Sequence, residues 1–126
     1  MDGKKTMLIA DDAKINRVIL RQLFQGEYEI LEAADGREAI HRLREADVKI
    51  ILLDLAMPEM DGLEASRRLK RQYPQLPILA LTANTAEEDR AACLHVGMSE
   101  LVAKPVTSNG LRMALSAIFG KKNGQL

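Results

Sequence analysis

The 126-residue chain has one cysteine, Cys93, no tryptophan, two tyrosines and two phenylalanines. A single thiol cannot close an internal disulfide, so the fold must hold by its core. That composition fits a reducing compartment such as the cytoplasm. Four aromatic residues leave few platforms for stacking bases, sugars or a flavin, which counts against an electron carrier built around a flavin. Charge of one sign is missing as well. Eighteen Lys and Arg balance eighteen Asp and Glu, which removes the general electrostatic argument for binding nucleic acid or an anionic membrane surface. Long hydrophobic runs are absent. The apolar stretch after MDGKK covers only residues 7–10, too short for a signal peptide and far below the roughly 20 residues of a membrane span. There is no G-x-x-x-x-G-K-[ST] and no G-x-G-x-x-G after the first apolar run, so the common nucleotide phosphate loops are excluded.

What remains is the mixture of an ordinary globular domain, 47% hydrophobic and 29% charged. Its length predicts a single domain, 1–126, with a core of about residues 6–119 and a frayed tail at 120–126. Short apolar runs at residues 6–10, 28–33, 49–53, 77–82 and 101–103 alternate with amphipathic stretches. IILL and ILAL within the third and fourth runs are continuously apolar, as strands covered on both faces should be. Ile15, Val18, Ile19, Gln22 and Leu23 recur at helical spacing, as do Leu111, Ala114, Leu115, Ile118 and Phe119. Ala39, Ile40 and Leu43 mark a helix after Asp35-Gly36. Leu63, Ala65 and Leu69 mark another, which opens near Asp61-Gly62 and stops before Pro74. The fourth helix, about residues 85–94, has a thin apolar face and ends at Gly97. Five strands alternating with five helices predict an α/β fold, one open parallel sheet with helices on both faces.

In such a sheet ligands bind beyond the carboxyl ends of the strands. The first run ends in Asp11-Asp12, the third in Asp54, the fourth in Thr82 and the fifth in Lys104-Pro105. The second, ending Glu32-Ala33, adds no comparable cluster. Taken singly, each residue has an ordinary explanation: Asp12 could cap the first helix, Asp54 could sit in a turn, and Lys104 could be solvated. Jointly these explanations fail. Like charges about 4 Å apart repel by roughly 4 kcal/mol at an effective dielectric of 20, so three clustered carboxylates need compensation. Lys104 supplies one positive charge, and a hard divalent cation such as Mg²⁺ would supply the rest. Such a site suits phosphoryl transfer onto a carboxylate. His41, His95 and Cys93 fall within helical segments and read as surface or packing residues.

MLIADD, LLDLAMPEMDG, ALTA and AKPV, in that order and spacing, resemble the receiver domain of two-component response regulators, the family of the chemotaxis response regulator. The resemblance covers about residues 6–119 and implies the flavodoxin-like strand order 2-1-3-4-5. It implies that Asp54 is the phosphoacceptor, loaded from a phosphohistidine of a histidine kinase or histidine phosphotransfer protein. It further implies that Asp12, Asp54 and the backbone carbonyl of Ala56 ligate Mg²⁺, with Asp11 acting through water, while Thr82 and Lys104 hold the phosphoryl group. Pro105 matches the proline that follows the lysine, Asp61-Gly62 the turn opening the third helix, and Met57, Pro58 and Met60 the loop before it. Asn16-Arg17 and the TAN of Thr82, Ala83 and Asn84 resemble receivers fused to hybrid histidine kinases. A downstream protein partner and a homodimer through the fourth and fifth helices are further expectations of the family. The resemblance implies a signalling domain that catalyses only its own phosphorylation and slow dephosphorylation.

The chain departs from the pattern at Leu101, where the family usually has an aromatic residue that rotates inward. Ala56 and Asn84 occupy the two positions that tune phosphoryl lifetime, and Ala56 cannot orient an attacking water. Two other readings compete. A phosphorylation-independent binding module would keep the fold without the chemistry. A haloacid-dehalogenase-like phosphatase would need a second aspartate two residues after the nucleophile, where Ala56 stands.

Overall fold

The computed structural model describes residues 4–55, 62–82, 87–104 and 106–123. Five strands, β1 (Lys5–Ala10), β2 (Tyr28–Ala33), β3 (Val48–Asp54), β4 (Ile78–Thr82) and β5 (Glu100–Ala103), alternate with five helices. The helices are α1 (Lys14–Phe24), α2 (Gly36–Glu45), α3 (Gly62–Gln72), α4 (Glu87–His95) and α5 (Ser108–Asn123). All strand pairs are parallel, in the order β2-β1-β3-β4-β5. This is the doubly wound arrangement that the alternating pattern predicts. Parallel neighbours cannot be joined by tight turns, so each connection crosses back over the sheet as a helix.

Alternation along the strands divides the core in two. Leu8, Ala10, Ile51, Leu53, Ile78 and Ala80 turn to one face, where they meet Ala39 and Leu43 of α2, Ala65 and Leu69 of α3 and Cys93 of α4. Met7, Ile9, Ile50, Leu52, Leu79 and Leu81 turn to the other, against Leu20 and Phe24 of α1 and Leu111, Ala114 and Leu115 of α5. The continuous apolar runs of β3 and β4 are thus two interleaved half-runs, one for each layer. Truncating any of these buried leucines to alanine typically costs about 2–5 kcal/mol. Arg112 of α5 fastens the second layer at its end. It lies 5.4 Å from the Phe24 ring centre, and its Nη1 donates to both Glu27 carboxylate oxygens at 3.1 and 2.9 Å.

One expectation needs correction. Of the stripe Ile15, Val18, Ile19, Gln22 and Leu23, only Leu23 packs against the core, and only in part. Ile15 and Ile19 are 64% and 43% exposed, and Leu20 and Phe24 are the buried pair. The period is right, but α1 is apolar on two adjacent faces, and only docking on the sheet selects between them. The last helix runs through Asn123, and Phe119 packs against the core layer beneath it. One glycine, Gly120, costs a helix only about 1 kcal/mol and does not stop it. His41 and His95 lie on helices, away from the strand ends, and Cys93 is buried on α4. The predicted start of the fourth helix at residue 85 falls outside the described residues.

The end of α4 is closed at Gly97, as its sequence position suggests. Its φ is +95°; its N–H donates to the Leu94 carbonyl at 3.0 Å and the Met98 N–H to the Cys93 carbonyl at 3.0 Å. These paired bonds are the Schellman arrangement, which needs a left-handed residue at this point. An added Cβ would stand 3.1 Å from Lys70 Cγ and Cε. The lysine cannot swing away cheaply, because its Nζ donates to the carbonyls of Pro74 and Leu76 at 3.0 Å each. Gly97→Ala should therefore lower unfolding stability by on the order of 1–3 kcal/mol in urea titration. An unchanged midpoint would show that Lys70 and the turn relax together.

Candidate functional site

The backbone pairing of the sheet continues one residue past three strand ends, and this places the polar residues. The Asp11 N–H donates to the Ala33 carbonyl at 3.0 Å, Leu55 N–H to Leu81 at 3.0 Å, and Lys104 N–H to Thr82 at 2.8 Å. Asp11 and Asp12 follow β1, Asp54 ends β3, Thr82 ends β4 and Lys104 follows β5. The chain steps from β1 outward to β2 and then returns to the other side of β1 as β3. Asp11, Asp12 and Asp54 therefore flank the point where the winding reverses.

Carboxylate oxygens of Asp11, Asp12 and Asp54 lie within 4.8 Å of one another. Asp11 and Asp54 are buried, Thr82 nearly so, and Asp12 is exposed. Lys104 Nζ stands 3.0 Å from Asp54 Oδ1 and 3.4 Å from Asp11 Oδ2. Burial works against the Lys104 charge, but the hydrogen bond to Asp54 and the charges of Asp11 and Asp54 outweigh it and hold the ammonium pKa above its ordinary value.

The two neighbouring aspartates play different parts. Asp11 Oδ1 accepts the Ala13 N–H at 2.9 Å, and Asn16 Nδ2 reaches both of its carboxylate oxygens at 3.4 and 3.3 Å. The residue at the N-cap of α1 is Ala13, whose own side chain caps nothing. The capping role considered for Asp12 is thus filled from Asp11. Among the described residues no group bonds the Asp12 carboxylate, which is left facing solvent beside the other two.

A model of the response regulator receiver domain matches residues 7–116. The chain belongs to that family. It is 40% identical over 116 residues to the sensor protein EvgS of Escherichia coli K12, a match that covers 91% of this chain and 10% of EvgS. The receiver thus spans about a tenth of that relative. Among solved structures it resembles the chemotaxis protein CheY4 of Vibrio cholerae, with 32% identity, a TM-score of 0.86, and 90% and 98% of the two chains covered. It also resembles a chain in the CheX-CheY-BeF3-Mg²⁺ complex of Borrelia burgdorferi, with 25% identity, a TM-score of 0.87, and 91% and 89% covered. The domain is a two-component signalling module, and none of its described helices is long and apolar enough to cross a membrane.

Receiver domains bind Mg²⁺ at an acidic pocket, and the donor set here fits that ion. The cluster offers hard carboxylate oxygens, Lys104 offsets one of three negative charges, and Asp12 is open to solvent. Ala56, Met57, Pro58, Met60, Asp61, Ala83, Asn84 and Pro105 lie outside the described residues. Leu101 sits on β5 opposite Ala80 and packs against the core layer beneath α4. A cavity of about 430 Å³ adjoins the cluster, lined by Asp11, Asn16, Lys104 and the apolar Ile19, Leu20 and Val106. A larger hollow of about 620 Å³ opens at the opposite end of the sheet around Asp47, Tyr73 and Phe119. It lies far from the carboxylates, and volume without converging chemistry does not make a site.

Sequence reasoning missed the role of Glu32. Its carboxylate accepts from Arg17 Nε at 2.9 Å and Arg21 Nε at 2.8 Å. Burial opposes its charge, but the bonds from Arg21 and Arg17 hold its pKa below the ordinary value. The Arg17–Arg21 spacing of one helical turn was the available signal, although nothing in it points to Glu32.

Because Asp12 caps nothing and adds charge to a crowded cluster, its removal has a predictable sign. Without metal, Asp12→Ala should melt about 4 °C higher, equivalent to about 1 kcal/mol, and Mg²⁺ should not raise its melting temperature, whereas it should raise that of the parent. A metal-free variant less stable than the parent would mean that the favourable interaction of Asp12 with the start of α1 outweighs the repulsion.

Proposed function

We propose that this receiver accepts a phosphoryl group on Asp54 from a phosphohistidine of a histidine kinase or histidine phosphotransfer protein, with Mg²⁺ as cofactor. The observation that carries the reading is the setting of Asp54: buried at the end of β3, 3.0 Å from Lys104 Nζ and grouped with two further carboxylates. An Asp54 carboxylate oxygen forms the new O–P bond as the P–N bond of the donor breaks. The electron pair returns to the ring nitrogen, and the imidazole, protonated on its other nitrogen, leaves neutral. Lys104 and the Thr82 hydroxyl donate hydrogen bonds to the phosphoryl oxygens. Asp12, Asp54 and the Ala56 carbonyl would hold Mg²⁺, with Asp11 acting through water. When bound, the ion neutralises charge between the carboxylates and the incoming phosphoryl group. The BeF3 and Mg²⁺ named for the related Borrelia complex support this assignment.

The donor protein finds an apolar rim beside the site. Ile15 and Ile19 of α1 are exposed, and Ile19 also lines the cavity that reaches Asp11 and Lys104. A downstream partner reads the face carrying residues 82–105. The expected homodimer through α4 and α5 has Leu94 and Met113 as exposed apolar side chains on those helices.

Intact mass with acetyl phosphate and Mg²⁺ tests the assignment. The parent should gain one phosphoryl group, and Asp54→Asn none. A variant that labels as well as the parent would reject Asp54. An unlabelled parent would favour a phosphorylation-independent binding module, and sustained release of phosphate from phosphomonoesters would favour a phosphatase.

Signal export should follow from Leu101. A leucine has no ring to swing, so activation passes through the backbone when Thr82 moves toward the phosphoryl group, carrying Ala83, Asn84 and α4. Amide shifts with and without beryllofluoride should change from Thr82 through Leu94 while the Leu101 side chain keeps its rotamer. Changes confined to residues touching Asp54 would reject this route, and Leu101→Tyr should strengthen the response.

A further inference from the structure

Behind Asp11 lies a polar linkage outside the five residues that the motifs single out. The Asp11 carbonyl accepts from Arg17 Nη1 at 2.7 Å. The same guanidinium places its Nε on Glu32 Oε1 at 2.9 Å, and the other Glu32 oxygen takes Arg21 Nε at 2.8 Å. Arg42 Nε donates to the Glu32 carbonyl at 3.1 Å, fixing the backbone of that residue. Arg17 is only 15% exposed and Glu32 27%, so the linkage is largely shielded from competing water.

We propose that Arg17, held by Glu32, is a positioning residue for the metal-binding carboxylates and that it acts on Asp12 through the peptide joining Asp11 to Asp12. This rests on the reading of the cluster as an Mg²⁺ site. A peptide unit is planar, so the direction of the Asp11 carbonyl also fixes the direction in which the chain enters Asp12. The other groups of Asp11 are already engaged: its N–H by Ala33, its carboxylate by Ala13, Asn16 and Lys104. The carbonyl bond to Arg17 completes the set. Asp12 has no side-chain bond of its own among the described residues, so its backbone decides where the carboxylate points. The planar fork of an arginine suits this task, because two of its nitrogens serve two acceptors in fixed relation.

Position and charge predict opposite signs. Arg17 is a cation beside a cation site, so by Coulomb attraction alone its removal should tighten Mg²⁺ binding. If it positions Asp12, its removal should weaken binding. Supporting groups behind metal ligands typically matter by 10–100-fold in affinity.

Mg²⁺ alone should be titrated calorimetrically into the full chain and its variants, with melting temperatures recorded without metal. Arg17→Ala and Glu32→Ala should each weaken binding about tenfold, and the double variant should be no weaker than either single one. Arg17→Lys keeps the charge but not the fork and should remain weak. Unchanged or tighter binding by Arg17→Ala would overturn the proposal, even if its melting temperature falls, because that pattern marks a purely structural role. Parent-like binding by Arg17→Lys would overturn it equally, and that variant decides the question if Arg17→Ala does not fold. A parent that binds no Mg²⁺ would instead reject the function proposed above. Normal binding and Asp54 labelling in the parent, with unaffected variants, would reject only the positioning role.

Discussion

Two buried carboxylates, Asp11 and Asp54, share one ammonium at the carboxyl end of the sheet, and the rest of the arrangement depends on that contact. Lys104 lies 3.0 Å from Asp54 and 3.4 Å from Asp11. Breaking a buried ion pair by removing one partner generally costs about 3–5 kcal/mol, because the charge left behind has lost its solvent and its counterion. Here two carboxylates would be left. The contact is possible only because three strand ends are held in register by backbone bonds that extend past β1, β3 and β5. Strand pairing and site electrostatics therefore support one another.

The sheet can carry this crowded charge because both its faces are covered. α2, α3 and α4 close one layer, and α1 and α5 close the other. The central strands are buried along almost their whole length, whereas β5, at the edge, is only partly buried. Rigidity is thus concentrated at β1, β3 and β4, which carry Asp11, Asp54 and Thr82. The half-buried β5, with Leu101, and α4, with its sparse apolar face, are where movement disturbs the fewest contacts.

The cluster is backed by a local support drawn from α1 and β2. Asn16 and Arg17 both turn from α1 toward Asp11, one to its side chain and one to its carbonyl. Glu32, at the end of a strand that bears no residue of the site itself, holds Arg17 from the other side. The exposed Ile15 and Ile19 leave the outward side of α1 apolar next to the same pocket.

The sequence by itself determined the element order, the parallel sheet, the layering of helices and the convergence of Asp11, Asp12, Asp54, Thr82 and Lys104. Each follows from a local signal: buried parallel strands are continuously apolar, and a polar residue closing such a run must lie at the strand end. Gly97 was legible for the same kind of reason, since a helix terminus asks for a left-handed residue. Only the tertiary structure decided which face of α1 is buried, because Ile15 and Ile19 satisfy the helical period as well as Leu20 and Phe24 do. It alone separated the bonded Asp11 from the solvent-facing Asp12, two identical side chains adjacent in the chain. It alone brought Glu32 to Arg17 across fifteen residues, since pairing between a helix and the strand beside it leaves no periodic trace in either segment.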